Sequence, residues 1–127
     1  MLLLGTVNTI DQAIAINEPV NLGTIYRRYD KRNCGIRTFE LSGNSIALQV
    51  SGIYHLTATI ETAAATTFQL FEDGVANTNA ITTTGVLDTY VLVNNSGTLN
   101  TAKTISIVNT EAATTVTNII VNIEKVV

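Results

Sequence analysis

The chain is 127 residues long with a single Cys, so it makes one domain, buries roughly two-thirds of its unfolded surface and has no internal disulfide. Charged residues are only 13% of the total, against about a quarter in ordinary globular domains, so the polar surface is built mainly from Thr and Asn. A net charge of −3 and a pI near 4.9 exclude general affinity for nucleic acid or anionic membrane.

Met1-Leu2-Leu3-Leu4 is apolar but breaks at Gly5, with no basic flank and too few residues for a signal or a span. The expectation is a protein folded in cytoplasm. Residues 1–16 are expected to form an N-terminal arm or first strands, and residues 17–127 the main domain. Ala13-Ile14-Ala15-Ile16 has helical propensity, yet its size alternation and the stop at Asn17-Glu18-Pro19 favour a strand. Residues 20–26 form another extended piece, after a Pro that cannot sit inside a central strand. The stretch from Arg27 to Arg37 lacks apolar periodicity and belongs on a surface loop or edge. It holds five of the seven Lys and Arg residues with only Asp30 among them, so it carries +4 and the remainder −7. A strand follows over residues 37–41.

Residues 43–61 organise the rest: a short strand at 44–48, a corner at Ser51-Gly52, and a long strand at 53–61. In the long strand Tyr54, Leu56, Ala58 and Ile60 point one way, and His55, Thr57, Thr59 and Glu61 the other. Thr62 to Thr66 is a small-residue loop. Phe68, Leu70 and Glu72 then alternate with Gln69 and Phe71, and Asp73-Gly74 is a hairpin turn leading to a partner strand at 75–81. Residues 88–93 form a strand carrying Tyr90, and Asn94-Asn95-Ser96-Gly97 a turn. Two Val- and Ile-rich strands, 103–109 and 117–126, close the chain. About ten short strands with turns between them predict an all-β, compact antiparallel sandwich or jelly roll.

Several motifs resemble a known family. Pro19-Val20-Asn21-Leu22-Gly23, Phe39-Glu40-Leu41, Val50-Ser51-Gly52-Ile53-Tyr54 and Phe68 to Val75 are similar to the jelly roll shared by tumour necrosis factor and complement globular heads. Lys103 to Asn109 and Ile119 to Val127 resemble its last two strands. The likeness runs from about Pro19 to the end. It implies two packed antiparallel sheets and a homotrimer with the terminal strands near a threefold axis. The chain departs from many relatives in having no collagen-like stalk and only Tyr54 as an aromatic in the long strand. Stalkless heads of this kind also look like accessory proteins of bacteriophage particles, which decorate capsids or tip fibres. In such a trimer Ile53, His55, Thr57 and Thr59 are expected at the subunit interface.

Chemistry is sparse. A nucleophilic triad needs a base beside its nucleophile, and His55 and Cys34, each the sole residue of its type, are not tied together by any motif. His55 reads as an outward strand residue packed between subunits; three copies near an axis would form a pH-sensitive cluster. Cys34 reads as small filler. No zinc ligand set, Ca²⁺ loop or phosphate cradle occurs, no ligands for a surface Ca²⁺ stand out, and no cofactor or metal site is expected. The one functional hint is Tyr26, Arg27, Arg28, Tyr29, Lys31, Arg32 and, further on, Arg37. Basic residues interleaved with aromatics suit phosphate contact and stacking, a solvated loop, or a protein contact. The stretch is short and the rest of the chain acidic, which argues against nucleic acid, and the enrichment of Arg and Tyr at interfaces puts a protein contact first, with a neighbouring subunit or a capsid surface.

The resulting expectation is a non-enzymatic virion protein, a trimeric capsid decoration, head-fibre or fibre-tip component assembled in a host cytoplasm. The alternative is a module binding a glycan or receptor through the loops at 63–67, 82–86 and 94–101. Those loops contain no aromatic platform for a sugar.

Overall fold

The computed structural model describes residues 2–30, 37–83, 85–94 and 102–127. They contain no helix and two antiparallel sheets. The first sheet runs β3 (Thr24–Tyr29), β1 (Leu2–Asn8), β11 (Thr114–Lys125), β6 (Gly52–Thr62), β9 (Val86–Val93), with β2 (Gln12–Ile14) pairing β11 past the end of β1. The second runs β4 (Phe39–Ser42), β5 (Ser45–Leu48), β10 (Lys103–Asn109), β7 (Phe68–Glu72), β8 (Val75–Thr82). The architecture is the jelly roll expected from the alternation.

The period of two decides which faces meet. In β6, Tyr54, Leu56, Ala58 and Ile60 are buried, while Ile53, His55, Thr57 and Thr59 lie on the opposite face. Val121 and Ile123 of β11, and Leu87, Val91 and Val93 of β9, bury the same side. The second sheet answers with Ile46, Leu48, Phe68, Leu70, Ile105 and Ile107. Phe39 and Tyr54 join the two layers edge to face, with ring centroids 5.8 Å apart at 79°. The Tyr54 hydroxyl donates to the Val50 carbonyl at 2.5 Å, which gives the buried ring's polar atom a partner.

Asp73 and Gly74 close the β7–β8 hairpin at φ of 52° and 79°. Two successive positive-φ residues make the turn whose twist matches its strands, as the Asp-Gly pair predicts. The extended piece expected over residues 20–26 divides. Pro19 and Val20 touch the second sheet, where the Val20 amide donates to Ile107 at 2.8 Å. Regular strand begins only at Thr24 and continues through the basic residues to Tyr29, because the open edge of β1 offers a hydrogen-bonding partner. Gly23 makes that return (φ 80°), and a Cβ there would lie 2.1 Å from the Val7 carbonyl oxygen.

One buried group breaks the pattern. Thr6 of β1 faces the core fully buried, and its hydroxyl has no hydrogen-bond partner among the described residues. Removing an unpaired buried hydroxyl while keeping the branched shape relieves a desolvation cost. Thr6→Val should therefore stabilise the fold by about 1 kcal/mol, a rise of roughly 3–5 °C in melting temperature for a domain of this size. A lower melting temperature would show that the hydroxyl is satisfied.

Candidate functional site

The outer face of the first sheet gathers most of the singled-out residues. On β3 the side chains alternate: Arg27 stands opposite Gly5 and Tyr29 opposite Leu3, all on the outer face. Arg28 pairs with Leu4, a core residue, and so turns the other way. Tyr26 is an extra residue, sitting where the register shifts between Gly5 and Thr6. Its ring lies across Gly5, where a Cβ would come within 2.8 Å of two ring carbons. The bare glycine thus lets the ring lie flat on the sheet, and its hydroxyl donates to Asn122 Oδ1 at 2.6 Å. The Arg27 guanidinium reaches the same oxygen at 3.4 Å.

At the opposite side of the face, His55 Nε2 is 2.6 Å from Asp88 Oδ1. The imidazole stacks on Tyr90 with centroids 4.7 Å apart and planes 18° from parallel. Glu124 stands directly across from His55 on β11. Between the two sides is a shallow recess of about 260 Å³, lined by Leu3, Arg27, His55, Thr57, Asn122 and Glu124. Thus Ile53, His55, Thr57 and Thr59 share one surface with Tyr26, Arg27 and Tyr29, two groups that nothing in the sequence order connects.

Apolar exposure is concentrated on the lateral strands of this face. Tyr29 is 54% exposed on β3, and Val86, Tyr90 and Leu92 are 53%, 63% and 61% exposed on β9. An apolar, aromatic face with polar groups set among it has the composition of a contact surface.

The other basic residues are placed differently. Arg28 donates to the Phe39 carbonyl and lies 3.8 Å from Asp30, whose carboxylate accepts the Thr38 and Phe39 amides at 3.1 and 3.2 Å. That set ties β3 to β4 and acts as a strut. Arg37 is half-buried on the approach to β4. Lys31, Arg32 and Cys34 lie outside the described residues, as do Thr84 and residues 95–101 of the expected binding loops. Within the 63–67 loop, Thr66 and Thr67 are buried.

What the face can do chemically follows from these contacts. A His–Asp pair could orient a base, but a nucleophile must then lie within hydrogen-bond reach of the imidazole. Among the described residues the only polar side-chain contact of His55 is Asp88, and no cluster of three or more His, Cys, Asp or Glu forms. Asn122, Asp88 and Gly5 were not singled out in the sequence. Asp88 was legible only as the first residue of a strand whose alternate side chains would share a face.

No protein-family model matches the chain, and no curated protein matches its sequence. Solved structures do match. The globular domain of zebrafish complement 1qA superimposes with a TM-score of 0.66 at 10% identity, covering 100% of this chain and 98% of that one. Murine APRIL gives 0.61 at 13% identity over 97% and 98%. PRD1 vertex protein P5 gives 0.59 at 18% identity over 96% and 93%. At these identities the likeness concerns the fold, and it is the same in all three: the chain has the jelly roll of tumour necrosis factor relatives and complement globular heads.

Proposed function

We propose that this chain is a non-enzymatic structural component of a virus particle, a decoration, head-fibre or fibre-tip module that works as a homotrimer. The observation that carries the reading is the outer face of the first sheet, where Tyr29, Val86, Tyr90 and Leu92 stand more than half exposed. A surface of that kind calls for a protein partner. The shared fold supports a second copy of this chain as that partner, and the likeness to a vertex protein supports a place in a particle.

Light scattering on the purified protein tests the assembly directly. The expected mass is three times the 13.6 kDa of one chain. Tyr90→Glu, which places a charge at a 63%-exposed position, should shift the mass toward one chain while leaving the strand-type dichroism spectrum unchanged. A parent protein that is monomeric at tens of micromolar would overturn the reading. Peptides of this chain in purified particles of the virus that carries its gene would test the second half of the proposal, and their absence would refute it.

A further inference from the structure

Two charges beside the recess of the outer face lack a counter-charge. The Arg27 guanidinium lies 3.4 Å from Asn122 Oδ1, an oxygen that already accepts from the Tyr26 hydroxyl. Among the described residues Arg27 makes no ion pair, and half-buried Glu124 makes neither an ion pair nor a side-chain hydrogen bond. The other carboxylates of this face stand apart from the recess. Asp88 is held by His55 at 2.6 Å, and Glu61 lies four residues along β6 from Thr57, roughly 13 Å away. Asn122 and Glu124 are two positions apart on one strand, so the guanidinium above the first and the carboxylate of the second are roughly 7 Å apart. That is too far for a direct pair, and the recess of about 260 Å³ lies between them. The rest of its lining is mixed. Leu3 is apolar, Thr57 carries a hydroxyl, and the Asn122 amide nitrogen has no partner among the described residues.

We propose that this recess binds a free α-amino acid with an apolar side chain, its carboxylate on Arg27 and its ammonium on Glu124. The inference goes beyond the trimer reading and does not rest on it. Spacing selects the ligand. An ammonium and a carboxylate on the same carbon are roughly 3 Å apart. A charge-assisted hydrogen bond at each end adds about 2.8 Å, so the molecule spans the gap at a slant. A simple anion would leave Glu124 without a counter-charge, and a simple cation would leave Arg27 without one. The planar guanidinium takes a carboxylate as a fork, with the Asn122 amide as a further donor. The ligand's side chain then lies over Leu3. The volume falls just below that of pockets for larger ligands, as a molecule of this size requires. Assembly is compatible with the site: a second copy closing over this face would strand both charges, and a zwitterion between them supplies each with its opposite.

The test uses L-leucine and two relatives that each lack one charge, N-acetyl-L-leucine and L-leucinamide. In a nuclear magnetic resonance titration, L-leucine should shift the backbone amide signals of Asn122 and Glu124 with a millimolar dissociation constant. Each relative should bind about tenfold more weakly. Arg27→Gln should bind L-leucine and L-leucinamide alike, and Glu124→Gln should bind L-leucine and N-acetyl-L-leucine alike, a loss of discrimination that a merely structural role would not produce. No shift at tens of millimolar, or a parent that binds either relative as well as L-leucine, would overturn the proposal. Light scattering on the same samples separates the two readings. A monomeric parent that binds L-leucine removes the trimer and keeps this site, and a trimeric parent that does not bind removes the site alone.

Discussion

Replacing Asn109 by alanine should cost about 3 kcal/mol of folding stability, among the largest effects of any single change outside the apolar core. Asn109 is fully buried at the end of β10. Its amide nitrogen donates to the Ala112 carbonyl at 2.7 Å and the Ile14 carbonyl at 3.3 Å, and its oxygen accepts from the Thr66 hydroxyl at 2.7 Å. Its own backbone is paired with Asn17 and Glu18. One side chain thus ties together the segments of Ile14, Thr66 and Ala112, which converge at one end of the sandwich. Truncation leaves a hydroxyl and two carbonyls without their partner, each worth roughly 1 kcal/mol or more. Urea unfolding with an unchanged slope and a lower midpoint is the expected result. A loss below about 1 kcal/mol would show that water replaces the amide at no cost.

The second large effect is alkaline. Burial pushes the Tyr54 phenol up to about 12, from its ordinary 10.0, and the nearby Asp30 carboxylate adds to the rise. Between those two values the unfolded chain releases this proton and the folded chain keeps it. The folded state then binds more protons, so stability is fully present below pH 10 and declines as pH rises toward 12. The decline attributable to this one group is about 2–3 kcal/mol. Tyr54→Phe removes the group and should flatten that part of the pH profile relative to the parent. It also strands the Val50 carbonyl, at about 1 kcal/mol near neutral pH. Profiles that run parallel from pH 9 to 12 would rule out Tyr54 as the source.

How far the sequence reaches depends on how local the cause is. The alternation from Tyr54 to Ile60 is a property of neighbours along the chain, and the structure keeps it residue for residue. The Asp73-Gly74 turn is equally local. The role of Asn109 was not legible, because its partners Ile14 and Thr66 are brought to it only by the completed fold. The pairing of His55 with Asp88 was hidden for the same reason: it spans 33 positions of chain. The basic stretch failed in a different way. From Tyr26 to Asn33 its residues are polar or aromatic at every position, so no periodicity shows which arginine faces the core, and Arg28 became a strut while its neighbour Arg27 faces outward.

The additional residue at Tyr26 has a consequence for how this protein can change over time. In an unbroken ladder Tyr26 would follow Ile25 and stand opposite Gly5, with Arg27 opposite Leu4; because Tyr26 is passed over, Arg27 falls opposite Gly5 and Arg28 opposite Leu4 instead. Losing the Tyr26 codon would leave those two pairings in place and close the irregularity, giving up the ring over Gly5 and its hydrogen bond to Asn122. A one-residue shortening at this position should therefore occur among natural variants of the gene, whereas a one-residue change of length within the paired run from Arg27 to Tyr29 should be rare.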